Sequence, residues 1–189
     1  FYIKEADDRR WFRLRDKTSC VQNTMDLLQF LEIRNFGELD KYFNKRVLFK
    51  KCGEADYKKI IMWIRRCEDL AKNQEVGDYS SSKLNNLLKD LKKERNKTFN
   101  VNSLQKIFNK YGIYLVVEEP LKGTKVRGCM TVRVKNPAIY MTTYYKEKSS
   151  FYFALYHEIG HIKTDYNMAK SKILVAGSDL TDEAKMDAY

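Results

Sequence analysis

Apolar residues in the first half of the chain recur at three- and four-residue intervals, the spacing of helices that each bury one face. Met25, Leu28 and Leu31 mark a helix over 21–34 with Asn23 or Thr24 as its cap, and Glu38 to Phe43 reads as a short helix after Gly37. Tyr57, Ile60, Ile61, Ile64, Cys67 and Ala71 form a longer stripe that predicts a helix over 55–72. Ser81 or Ser82 then caps a helix through Lys93 with Leu84, Leu87, Leu88 and Leu91 inward. The polar run from Lys92 to Asn100 is the expected boundary between a helical region, 1–98, and a second unit, 99–189, on which it packs.

Beyond that run the period changes. Asn102 is the expected cap of a helix carrying Leu104, Ile107, Phe108 and Tyr111, which Gly112 ends. Ile113 to Val117, Cys129 to Val134 and Ala138 to Thr142 are rich in β-formers and predict strands, the last two joined by the turn Lys135-Asn136-Pro137. A helix is expected from about Ser149 to Lys163 and another from Thr181 to Tyr189. The pattern as a whole is α+β with a small sheet of about three strands, and it contains no internal repeat.

Composition narrows the class. With 189 residues, 43% hydrophobic positions, eight Gly and two Pro, the chain is long enough and apolar enough for a packed core, which excludes collagen-like, low-complexity and disordered readings. The formal charge of +11 permits attraction to nucleic acid, anionic membrane or acidic protein. The excess is mostly Lys scattered among Asn, Ile and Tyr, as an AT-rich genome gives a protein of any function, and no Arg-rich motif or known nucleic-acid module stands out. Cys20, Cys52, Cys67 and Cys129 include no CxxC pair and are expected as reduced thiols of a cytoplasmic protein. No apolar run reaches membrane-span length, and the opening FYIKEADDRRW lacks the apolar core of a signal peptide. The chain starts at Phe1 without Met and stops at Tyr189 inside a predicted helix, so a longer parent polypeptide is expected.

The chemistry concentrates in one place. The only two histidines, His157 and His161, flank Glu158 in the sequence HEIGH, behind the apolar stretch FYFAL. Residues four apart on a helix lie one turn apart on one face, so both imidazoles can address one ion while Glu158 projects beside it. This suits Zn²⁺, which takes imidazole nitrogens at about 2.0–2.1 Å and, in catalytic sites, three protein ligands plus water. Zinc brings the ionisation of that water to a pKa of about 7 and polarises a carbonyl, and Glu158 is the expected general base. An ordinary helix with one half-buried His and one pairing with Glu158 is the alternative.

With no further histidine and the cysteines remote in sequence, a carboxylate is the expected third ligand. Asp165, Asp179, Asp182, Glu183 and Asp187 are the candidates. Asp165 lies one turn beyond His161, where an orienting role behind a ligand is commoner; Asp182 and Asp187 suit helix-end charges or partners of the imidazole N–H groups. Glu183 is preferred, because the chain has room to turn back across the metal before a new helix begins there.

FYFALYHEIGHI followed by DEAKMDAY resembles the ImmA/IrrE family of zinc metallopeptidases, in which HExxH is followed by E-x-x-A-[ND]-x-[FY]-A. Glu183, Met186, Asp187 and Tyr189 carry the second motif, with Met186 in place of the usual Ala. Upstream, MWIRRCEDLAKN is similar to the W-L-R-x-G-E-x-x-A helix of that family, and GIYLVV, GCMTVRV and NPAIYMTT follow its order of strands. The resemblance covers residues 55–189 and implies a zincin-like unit with His157, His161 and Glu183 on the metal and Glu158 as base. It further implies substrate binding along an edge strand, either Cys129 to Val134 or Ala138, Ile139, Tyr140, Met141 and Thr142, unless both strands merely complete the sheet.

A Tyr or Lys is expected to stabilise the oxyanion, and among thirteen tyrosines the sequence does not single one out; Tyr156, next to the motif, is as well explained by packing. Trp63 and Tyr140 have the spacing of core residues rather than base-stacking ones, while Tyr144 and Tyr145 are placed at a cleft mouth. Two functions follow: a zinc endopeptidase that cuts a repressor- or antitoxin-type protein, or a regulatory, antitoxin-like binder that keeps the fold with little hydrolysis. The implied partner is a protein substrate, toxin or repressor, with DNA only through a helix-turn-helix preceding residue 1 and no membrane.

Overall fold

A computed structural model describes residues 2–16, 18–38, 47–50, 57–124, 126–145, 147–170 and 173–177, with backbone alone in 47–50 and 173–177. The elements run α1 (Tyr2–Asp8), α2 (Cys20–Leu31), β1 (Val47–Lys50), α3 (Tyr57–Ala71), α4 (Leu84–Glu94, entered through a 3-10 turn at Ser81–Lys83), α5 (Val101–Lys110), β2 (Tyr114–Val117), β3 (Val126–Arg133), β4 (Asn136–Met141), α6 (Lys148–Ala169) and β5 (Ile173–Gly177). The class is α+β. The helices expected at 38–43 and 181–189 lie outside the described residues apart from the start of the first.

The three expected strands are β2, β3 and β4, and they lie side by side. The sheet extends to five strands in the order β1-β5-β3-β4-β2 because β5 adds antiparallel to β3 and β1 adds parallel to β5. Both additions are runs of four or five residues without alternation, a pattern that does not distinguish a strand from other buried chain. β2 runs parallel to β4, and β3 is antiparallel to it.

The pleat sorts side chains between two cores. Val116, Cys129, Ala138 and Tyr140 join Trp11, Leu27, Leu31 and the buried stripe of α3 on one face. Leu115, Met130, Ile139 and Met141 join Leu87, Leu91, Leu104, Phe108, Leu155 and Ile159 from α4, α5 and α6 on the other. The stretch from Lys92 to Asn100 therefore connects two helices that share one core. Trp63 and Tyr140 are fully buried, as their spacing predicts.

Helix ends follow capping chemistry. Asn100, rather than Asn102, caps α5 through its side chain, which accepts from the Ser103 N–H at 3.1 Å. At the other end the Gly112 and Ile113 N–H groups donate to the Asn109 and Phe108 carbonyls at 3.0 Å, with Gly112 at φ +78, which is a Schellman ending. The outer edge of β2 is covered by amides: the Gln74 and Gln105 side chains both donate to the Leu115 carbonyl at 2.9 Å. This is how an edge strand is withheld from foreign pairing. The β3–β4 turn consists of Val134 and Lys135, one residue earlier than Lys135-Asn136-Pro137, because Arg133 already pairs with Asn136. Among the described residues no helix is long and apolar enough to cross a membrane.

Two backbone positions give opposite expectations. A Cβ at Gly112 would lie 2.3 Å from the Tyr79 nitrogen, so Gly112→Ala should cost at least about 2 kcal/mol. Val134 holds φ 58 while 92% exposed, so Val134→Gly should stabilise by roughly 1 kcal/mol. Urea denaturation of both variants checks the pair of signs.

Candidate metal centre

The candidate site is built on α6 and the strand beneath it. α6 extends from Lys148 to Ala169, six residues past its expected end. Interactions in the added turns account for the extension: Asp165 bonds to His161, and Tyr166 donates to the Lys135 carbonyl at 2.6 Å while its ring meets Tyr79 at 5.1 Å. Phe151, Tyr152, Leu155, Ile159 and Ile162 bury one flank of the helix in the core shared with α4 and α5. Glu158 is buried with that flank, and the two half-buried histidines lie outside it.

His157 and His161 converge. Their Nε2 atoms are 3.2 Å apart, with ring centroids at 4.7 Å and planes at 87°. Two nitrogens bound to one tetrahedral ion at zinc distances are about 3.3 Å apart, so the separation fits a shared zinc. Asp165 Oδ2 lies 2.6 Å from His161 Nδ1. A carboxylate only accepts, so Nδ1 carries the hydrogen and Nε2 is the ring nitrogen turned toward His157. This is the arrangement that orients a metal-binding imidazole. Asp165 therefore stands behind His161.

Glu158 points at the sheet and is 1% exposed. The room for it comes from Gly128 on β3: a Cβ there would lie 3.1 Å from Glu158 Oε1, 3.0 Å from Met141 Sδ and 3.2 Å from the Tyr140 carbonyl oxygen. The chain leading into α6 is fastened to the same stretch of β3. The Arg127 carbonyl accepts from the Thr142 N–H at 3.0 Å, from Thr142 Oγ1 at 3.1 Å and from the Tyr145 hydroxyl at 3.1 Å. Burial raises the Tyr145 phenol above its ordinary range, and the Glu158 charge adds to the effect. The Cys129 thiol is raised by burial first and by Glu158 second, which makes it an inert core thiol.

Some expected residues fall elsewhere. Glu183, with Asp179, Asp182 and Asp187, lies outside the described residues, and among those described no group of three His, Cys, Asp or Glu is placed to hold a metal. The expectation that Ala138, Ile139, Tyr140, Met141 and Thr142 bind substrate by strand addition is corrected. β4 pairs with β2 on one side and β3 on the other, so it has no open edge. All five residues are buried, and Thr142 Oγ1 is bonded to the Val126 and Arg127 carbonyls. β3 pairs with β4 along Gly128 to Arg133 and with β5 from Val126 to Met130, so of the alternative stretch Cys129 to Val134 only Cys129 and Met130 are paired on both sides among the described residues. Tyr156 packs beside Tyr152 at 6.4 Å as a partly buried core residue. Tyr145 is half-buried near Glu158, and Tyr144 is the exposed one of the two.

Gly128 is the neighbour of Glu158 that sequence reasoning passed over; Tyr145, expected at a cleft mouth, is a second neighbour. An isolated glycine at a strand marks close approach of another group, and that signal was present in GCMTVRV. No family model, curated protein or solved structure matches the chain.

Two alanine substitutions separate the tight side of α6 from its open side. Gly128→Ala should destabilise the fold by about 1–3 kcal/mol through crowding of Met141 and Glu158. Gly160→Ala meets nothing within 4 Å and should stabilise by about 1 kcal/mol, the helix-propensity difference. Thermal and urea unfolding of the two proteins side by side read the signs.

Proposed function

We propose that the chain is a zinc-dependent metallo-endopeptidase of ImmA/IrrE type that cleaves a repressor- or antitoxin-type regulatory protein. The observation that carries this reading is the 3.2 Å approach of two imidazole Nε2 atoms on the helix that also carries the buried Glu158. His157 and His161 would hold the metal through Nε2, and Glu183 is assigned as the third ligand on its position in the sequence. When bound, zinc supplies Lewis-acid polarisation of the scissile carbonyl and brings water ionisation close to neutral pH.

The remaining work belongs to the chain. Glu158 accepts the proton of the attacking water on its carboxylate and returns it to the leaving amine nitrogen. Its burial against β3 leaves little bulk water to compete for that proton and keeps the carboxylate in one orientation. Asp165 holds the His161 ring through Nδ1–H, so its Nε2 lone pair stays aimed at the ligand position. Extended substrate on β4 is not part of this reading, because both edges of that strand are occupied.

Metal content and cleavage together test the proposal. Purified protein should carry stoichiometric zinc, and a repressor or antitoxin encoded beside it should be cut in a chelator-sensitive way. Glu158→Gln should retain the zinc and lose about 10²- to 10⁴-fold in cleavage rate, the usual contribution of a general base. Cleavage that survives Glu158→Gln would place hydrolysis elsewhere. Zinc-free protein that binds its neighbour without cutting it would favour the antitoxin-like reading instead.

A further inference from the structure

The charge of the molecule is uneven. Residues 79–112 contain eight Lys and Arg against two Asp and Glu, a net +6 of the chain's +11. The two acids are turned to internal use. Asp90 accepts from the Tyr111 hydroxyl at 2.7 Å and from Lys110 at 3.1 Å. Glu94 is buried, accepts from Ser103 and pairs with Lys97 at 2.9 Å. Lys83, Lys89, Lys92, Arg95 and Lys106 are all exposed and make no ion pair among the described residues; Lys93 has only a 4.0 Å contact with Asp90.

Helix geometry gathers these cations. Leu84, Leu87 and Leu91 face the core, so Lys89, Lys92 and Lys93 share the outer face of α4, with Asn96 in the turn just beyond it. These four residues line an open surface depression of about 380 Å³. The three lysines cover about 6 Å of helix axis at the helical rise, roughly two base pairs of duplex.

We propose that the outer face of α4 is a docking surface for the phosphate backbone of a nucleic acid. The chemistry of the face selects among polyanions. A membrane-surface helix needs a free apolar side to insert, and the apolar side of α4 is already spent on the core. A protein interface is anchored by buried aromatic or apolar groups, whereas the exposed residues flanking these lysines include Asn85, Asn86 and Asn96. Point charges with amide donors and no apolar anchor suit a partner held by charge and hydrogen bonds to phosphate and sugar, without base readout.

Fluorescence anisotropy of the full chain with a 20-base-pair DNA duplex, titrated across salt, tests this surface without reference to zinc or Glu158. Lys89→Glu/Lys92→Glu/Lys93→Glu should weaken binding more than tenfold and flatten the slope of log affinity against log salt by about 3, near 0.9 for each lost phosphate contact. The triple Gln variant should act in the same direction with less risk to the helix. Lys4→Glu/Arg13→Glu/Lys135→Glu removes the same charge from exposed positions outside the patch and should change affinity less than about threefold. Equal binding of an RNA duplex would agree with backbone docking. The proposal is overturned if the wild type fails to bind duplex at low salt, if patch and control variants lose affinity equally, or if only anionic vesicles or polyglutamate are retained.

Discussion

A carboxylate with 1% exposure sits between α6 and β3, and much of the site's construction serves to keep it there. Burial of such a group is costly unless it is paired or hydrogen-bonded. Gly128 leaves the space that a side chain would take from Glu158. The Arg127 carbonyl, one residue earlier, ties down Thr142 and Tyr145, and so sets where α6 begins. The helix then has one rotation that buries Phe151, Leu155, Ile159 and Ile162, and that rotation carries Glu158 to the strand and the two histidines past it.

Which parts of this were legible in the sequence depends on the range of the interaction that sets them. Local patterns were readable: the α3 stripe and the leucines of α4 by helical period, and β2 to β4 as runs rich in β-formers. Their ends were read less well. α6 outlasts its expected end because Tyr166 finds a carbonyl on the β3–β4 turn, 31 residues away in sequence, which no window on the helix contains. The strand edges failed for the same reason. Whether β4 is an edge depends on β2 and β3 closing over both its sides, and residue types within NPAIYM carry no record of that.

The candidate site divides in the same way. His157, Glu158 and His161 were identified by spacing, since one helical turn fixes their mutual geometry whatever the rest of the fold does. Asp165 belonged to the same turn, and its place behind His161 followed from i,i+4 contact. The role of Gly128 needed the sheet register, although its occurrence beside a strand was a usable signal. The surplus of lysine was visible as a number, and the three-dimensional placement of the two acids in residues 79–112 distinguishes a charged face from a scattered excess. α4 joins these two parts of the molecule, its leucines sharing a core with α6 and its lysines facing away from it.

In the proposed function, a single turn of α6 delivers two imidazole nitrogens to one divalent ion. X-ray absorption at the zinc edge, on protein reconstituted with zinc, reads that coordination without any assumption about substrate. Two imidazoles are expected, with the remaining ligands oxygen and all nitrogen and oxygen distances about 2.0–2.1 Å. A sulfur ligand, a single imidazole, or failure to take up stoichiometric zinc would contradict it.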